Sequence, residues 1–205
     1  MANFNDAYNI TFTHEAGYAG NLGDGGGETY CGITRNNFPA WAGWKYVDAA
    51  KKAGKLKLYT VITTAPVPQL VRDFYKQNFW DPVIKGDDIA NQQIANFSFD
   101  WTFNGGISVC ERISKAVASV APANTTLKAN KAKLTPEVIG AANATPVPAY
   151  NALWQARKAH IAELAKNPSK KQFVPEWTRR LNSFPQTIVS AAPAWWADFL
   201  KWFQL

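Results

Sequence analysis

The sequence predicts a mainly α-helical chain carrying one small glycine-rich loop or β-hairpin. Three observations predict it. Apolar residues recur at steps of three or four in several separate stretches of the chain, the period of one helix face. No stretch shows the strong alternation of a half-buried strand outside one segment, and that segment, residues 17–32, holds seven glycines in sixteen positions, too many for a regular helix.

Taken in order, Phe4, Tyr8, Thr11, Phe12 and Glu15 fall on one helical face over residues 3–15, which puts a carboxylate at the end of a buried stripe. The glycine-rich segment follows, its backbone able to approach a ligand closely. Residues 66–80 open with prolines and place Leu70, Phe74, Gln77 and Phe79 with helical periodicity; Asp81-Pro82 is expected to end that helix. Residues 89–103 are apolar enough for a buried central helix, interrupted by Asn104-Gly105-Gly106. Further helices are expected from Ser108 to Val120 and near 136–143, 148–165 and 193–203. The polar, Pro- and Asn-containing stretch Ala121–Lys133 reads as a connection, dividing the chain into parts 1–120 and 121–205.

Composition bounds the chemistry. The excess of 22 Lys and Arg over 15 Asp and Glu gives +7, a charge drawn toward polyanions such as nucleic acid, acidic membranes or an anionic cell wall. The basic residues are dispersed, however, with no stripe interleaved with aromatics, so no nucleic-acid partner is expected. Cys31 and Cys110 are too few for a disulfide scaffold and lack metal-ligand spacing; they read as small buried apolar residues. His14 and His160 likewise lack ligand spacing, and no metal site is expected. Nor is there a phosphate-binding loop, a dinucleotide fingerprint or a nucleophile elbow, which leaves cofactor-free hydrolysis as the simplest chemistry. The N-terminus lacks a Sec-type signal pattern and no apolar run reaches the length of a spanning helix, so the chain is read as soluble when made.

Glycoside hydrolysis needs a proton donor for the leaving oxygen and a second carboxylate that activates water or attacks the sugar. Glu15, at the apolar end of a helix, is placed for the desolvation that keeps a carboxyl protonated near neutral pH. Asp24 follows nine residues later in the glycine-rich stretch, and Thr29 offers a hydroxyl that can hold a water. Glu28 competes with Asp24 as the second carboxylate, and on spacing alone a solvated Glu and a plain Asp-Gly turn remain open.

These residues carry a resemblance. His14-Glu15-Ala16-Gly17-Tyr18, Asp24-Gly25-Gly26-Gly27-Glu28-Thr29 and Gly32-Ile33-Thr34 resemble the signature of glycoside hydrolase family 108, E-G-G-Y followed by D-x-G-G-x-T and G-I-T. Phe79-Trp80-Asp81-Pro82 is similar to the family's Y-W-D-P, and Phe99-Asp100 with Phe103-Asn104-Gly105-Gly106 to its F-D-x-x-V-N-x-G. Leu134-Thr135-Pro136-Glu137 resembles the start of its peptidoglycan-binding segment, and Glu176-Trp177-Thr178-Arg179-Arg180 its late G-W-x-x-R. The catalytic spacing also resembles that of phage-type lysozymes. Ala16 departs from E-G-G-Y, and the turn that usually opens the wall-binding segment is missing from the linker.

The resemblance implies a lysozyme-like helical domain with Glu15 as general acid, Asp24 as second carboxylate and Thr29 near the attacking water. Asn104 becomes a sugar contact. It further implies an N-acetylmuramidase acting on peptidoglycan glycan strands, expected as a monomer and reaching the wall through a holin or a secretion system. Tyr18 and Tyr30 flank the catalytic residues and are the expected stacking partners for sugar rings; Trp41, Trp44 and Trp101 are weaker candidates, since core packing accounts for most Trp. Trp195, Trp196, Phe199, Trp202 and Phe203 form an apolar patch at helical spacing. Two other readings compete: a lytic transglycosylase, which needs no second carboxylate, and an inactive wall- or partner-binding protein on the same scaffold.

Overall fold

The structure is a computed structural model that describes residues 1–12, 17–21, 27–123 and 125–188. Glu15, Asp24, His14 and the aromatic tail from 193 onward lie outside the described residues. Eight α-helices and one three-stranded sheet make up the described architecture: α1 (Phe4–Phe12), β1 (Tyr18–Asn21), β2 (Glu28–Tyr30), β3 (Ile33–Thr34), α2 (Trp44–Lys52), α3 (Val67–Tyr75), α4 (Gln92–Gly105), α5 (Val109–Ala118), α6 (Pro136–Ala144), α7 (Pro146–Leu164) and α8 (Val174–Asn182). The fold is mainly α and lysozyme-like, as the sequence predicts.

Chain contacts divide the molecule into two compact units, one of residues 1–11 with 79–205 and the other of residues 12–78. The stretch 121–133, expected as a link between two parts, lies within the first unit, where Leu134 donates its backbone N–H to the carbonyl of Val83 at 2.8 Å.

Helix α4 is the axis of the first unit. Asn91 caps it by accepting the N–H groups of Gln93 and Ile94 at 2.9 and 3.1 Å. Gly106 stops it at φ 77°, a left-handed backbone that glycine adopts without strain. The helix runs through Asn104 and Gly105, two residues past the expected interruption. Nine consecutive residues from Ile94 to Thr102 are buried. Phe99 meets Phe4 and Trp80 edge-on at 5.7 and 5.9 Å, and Phe97 meets Tyr150 and Phe184 at 5.6 and 5.2 Å. Trp80 of the Phe79-Trp80-Asp81-Pro82 element is thus a core residue, its indole N–H donating to Asp87 at 2.7 Å.

Asp81-Pro82 does not end the preceding helix. The chain continues from Lys76 to Ile84 as a π-helix that contains Pro82. The wider i→i+5 turn moves the hydrogen-bonding pattern away from the carbonyl that a proline ring strikes in an α-helix, and so carries the residue. The Leu134-Thr135-Pro136-Glu137 motif is a helix start: Leu134 is buried, Thr135 accepts the Val138 N–H at 3.4 Å, and Pro136 occupies the first turn, where no N–H is missed.

At the centre of this unit Asp100 is fully enclosed between two arginines. Arg157 of α7 reaches it at 2.8 Å and Arg180 of α8 at 2.7 Å, all three side chains being under 5% exposed. Burial alone would raise the Asp100 carboxyl, but the charges of Arg157 and Arg180 and their hydrogen bonds hold it below the usual carboxylate range. Arg180 also donates to the carbonyl of Thr11 at 3.4 Å, fastening the last turn of α1. A carboxyl depressed in the folded state contributes stability above the unfolded Asp pKa of ~3.9, and that contribution is lost as pH falls below it. Asp100→Asn, which leaves two buried guanidinium groups without an anion, is expected to lower unfolding free energy by about 3–5 kcal/mol at neutral pH. Urea titrations at neutral and acidic pH check this, the gap between native and variant narrowing toward acid.

Candidate active site

The second unit builds the segment in which the sequence places the chemistry. Strands β1 and β2 run antiparallel with Tyr18 opposite Tyr30 and Asn21 opposite Glu28, and β2 pairs with β3 through Thr29 and Thr34. Such a small sheet needs covering and anchoring to be stable. Part of the covering comes from the loop before α3. Tyr18 donates its N–H to Thr60 at 2.9 Å, and its carbonyl accepts from Tyr59 at 2.7 Å. This loop explains Gly17: a Cβ there would stand 2.1 Å from the Thr60 carbonyl oxygen, so no larger residue fits as the chain is placed.

The anchor is Glu28. Its carboxylate accepts from the Tyr18 hydroxyl and from Lys51 of α2, both at 2.8 Å, and lies 2.7 Å from the Arg35 guanidinium in a charge contact. Arg35 in turn grips Asp48 of α2 through both terminal nitrogens and lies 4.2 Å from the centre of the Trp44 ring. Burial pushes the Glu28 carboxyl up, but the hydrogen bonds from Lys51 and Tyr18 and the nearby charges outweigh it and hold the group ionised below its ordinary range. A carboxylate held ionised in this way is a poor proton donor. Glu28 is therefore a fastener between the sheet and α2.

Thr29 lies at the centre of β2 and is 7% exposed, its hydroxyl donating to the Gly27 carbonyl at 3.2 Å. Its oxygen keeps acceptor capacity for one further donor. Tyr18 is half-buried with its hydroxyl held on Glu28, which leaves the ring as the part able to meet a sugar. Tyr30 corrects the expectation of a stacking role. It is 1% exposed, accepts the Ile62 N–H at 2.8 Å and stacks on Trp41 with ring centres 6.0 Å apart; burial pushes its phenol up. In alternating β2 it points to the face that the aromatic core covers. Trp44 and Trp101 are also core residues, at 4% and 2% exposure. Trp41 is half-buried and lines a groove of about 510 Å³ with Asn37, Asp73, Gln77 and Asn78, a polar and aromatic lining suited to an uncharged sugar.

Asn104 belongs to the first unit, exposed near the end of α4 on the rim of a different groove. Spacing arguments missed helix α2, which buries just Trp44 and Val47 yet supplies Asp48 and Lys51. They also missed the residues that accompany Asn104 on its groove, for they come from four separate stretches of sequence.

Residues 8–106 match the glycosyl hydrolase 108 family. This segment belongs to that family. It contains Glu15, Asp24, Thr29 and Asn104 together, and the match supports a glycoside hydrolase. The solved structure of Brucella abortus SagA resembles it with a TM-score of 0.58 at 21% identity, over 88% of this chain and 90% of that one, a likeness of fold. No curated protein matches the sequence.

The role of Glu28 has a measurable consequence. Glu28→Gln is expected to keep glycoside-hydrolase activity within about tenfold of native while lowering thermal stability, whereas losing a reacting carboxylate costs ~10²–10⁴-fold. Parallel melting curves and turbidity assays on cell walls compare the two effects.

Proposed function

We propose that this glycosyl hydrolase 108 chain hydrolyses the β-1,4 bond between N-acetylmuramic acid and N-acetylglucosamine in peptidoglycan. Glu15 protonates the leaving oxygen, Asp24 serves as the second carboxylate and Thr29 holds water near it. The observation that carries this reading is the family match over the segment that holds all three residues, supported by the engagement of Glu28 in ion pairs, which leaves Asp24 as the acidic side chain for the second role. The glycine-rich backbone around Asp24 suits close approach to a glycan strand. A charge of +7 favours adsorption to an anionic wall and speeds encounter with it at low salt.

Purified peptidoglycan digested with native protein is expected to release reducing muropeptides, identified by mass spectrometry. Glu15→Gln should lower that release by about 10²–10⁴-fold with an unchanged melting temperature. Anhydro-muropeptides would reassign the chain to transglycosylation, and a fully active Glu15→Gln would remove Glu15 from the mechanism.

A further inference from the structure

The loop before α3, which covers β1, exposes a cluster of apolar side chains. Of the seven exposed large apolar side chains among the described residues, three fall within four consecutive positions: Leu58 at 61%, Tyr59 at 71% and Val61 at 55% exposure. The other four are scattered along the chain, which is ordinary for a protein surface, whereas a cluster marks a place where something docks.

The cluster stands on a rigid support. Residues 57–60 form a tight turn, the Thr60 N–H donating to the Lys57 carbonyl and the Lys57 N–H to the Thr60 hydroxyl, both at 3.0 Å. Leu58 and Tyr59 are its two corner residues. Backbone bonds fasten the turn to the sheet: the Tyr59 N–H donates to the Tyr18 carbonyl at 2.7 Å, and the Tyr18 N–H to the Thr60 carbonyl at 2.9 Å. Beyond it the Ile62 N–H donates to the Tyr30 hydroxyl at 2.8 Å. Tyr59 holds φ 65° at the third position of the turn, where glycine or asparagine is the usual residue. A bulky side chain is strained there, and burial does not offset the strain, because the ring lies largely in solvent. Glycine would serve the fold better, so the exposed ring itself is what the strained turn retains.

The surroundings are positive. Residues 49–72 include Lys51, Lys52, Lys55, Lys57 and Arg72 and no acidic residue. Lys51 is engaged by Glu28. Lys52, Lys55 and Lys57 are exposed and form no ion pair among the described residues. A sugar would use the tyrosine ring but neither Leu58 nor Val61, and an anionic wall polymer would use the lysines but none of the three apolar side chains. An anionic bilayer surface uses them all. Aliphatic side chains enter the acyl boundary, a tyrosine ring rests at headgroup depth with its hydroxyl wet, and lysines meet the phosphates while their stems cover apolar surface.

We propose that residues 57–61 dock this protein on an anionic phospholipid membrane surface, with Leu58, Tyr59 and Val61 in the interface and Lys52, Lys55 and Lys57 on the headgroups. The attachment is peripheral and involves the second unit alone. It is independent of the hydrolytic reading, because a lipid vesicle contains no glycan to cleave.

The test is flotation of the full chain with vesicles of phosphatidylglycerol and phosphatidylcholine in equal parts, and with vesicles of phosphatidylcholine alone. Binding to the anionic vesicles is expected to be about tenfold tighter or more, an advantage that shrinks as salt is raised. Lys55→Gln combined with Lys57→Gln should weaken anionic binding about tenfold. Tyr59→Gly should weaken it about fivefold while the melting temperature stays at or near native, since glycine accepts the left-handed backbone; a purely structural tyrosine would leave the flotation unchanged. The Trp-rich stretch 193–203 is untouched in these variants, so binding through it would survive them. Absence of binding at millimolar lipid, equal binding to both compositions, or undiminished binding in Tyr59→Gly or in the double lysine variant would overturn the assignment.

Discussion

The burial of Asp100 between Arg157 and Arg180 is the constraint on which the first unit depends. A carboxylate with no exposure is several kcal/mol unfavourable unless its charge and lone pairs are met. Here the partners come from two helices 57 and 80 residues further along the chain. Helices α4, α7 and α8 must therefore pack in one arrangement for the ion cluster to close, and any slippage exposes an unpaired charge to the core. The cluster also gives physical meaning to two of the sequence motifs. The aspartate of Phe99-Asp100 and the arginine that ends Glu176-Trp177-Thr178-Arg179-Arg180 are partners in one ion pair, so their appearance in a fixed order reflects a closed contact and not a binding function. Through the Thr11 carbonyl the same arginine reaches the last turn of α1, the helix that leads toward Glu15.

The second unit solves a different problem with the same means. A three-stranded sheet of nine residues has little area with which to stabilise itself. Glu28 compensates by collecting Tyr18 from β1, Lys51 from α2 and Arg35, which itself extends to Asp48. The aromatic side of the sheet is closed by Tyr30 on Trp41 and by Tyr75, whose hydroxyl donates to the Cys31 carbonyl at 2.8 Å. The glycine-rich segment is thereby pinned at both of its ends, at Tyr18 and at Glu28.

Much of this was legible in the sequence, and the exceptions have physical causes. Helices α1, α4, α5, α6 and α7 announce themselves through apolar periodicity and through caps such as Asn91 and Thr135-Pro136. Helix α2 does not, because two buried residues in nine leave a weak stripe. The passage of a helix through Pro82 contradicts a sound local rule, and the π turn is what relieves it. Tyr30 sits next to the expected catalytic residues in sequence, but strand alternation turns it toward the core, so proximity along the chain misled where a pleat decides the side. Glu28 competes with Asp24 within the same loop; its fastening role is set by Lys51, Arg35 and Tyr18, none of which adjoins it in sequence. The groove beside Asn104, lined by Arg112, His160, Lys170, Phe173 and Trp177, was invisible for the same reason.

The proposed division of labour between the two acidic residues of the glycine-rich segment, Glu28 as fastener and Asp24 as reactant, is open to one direct measurement. Asp24→Asn should retain the native melting temperature, lose about 10²–10⁴-fold in the rate of muropeptide release, and regain turnover when azide supplies the missing nucleophile. A near-native rate in Asp24→Asn would contradict the two-carboxylate mechanism and with it the assignment of hydrolysis to this segment.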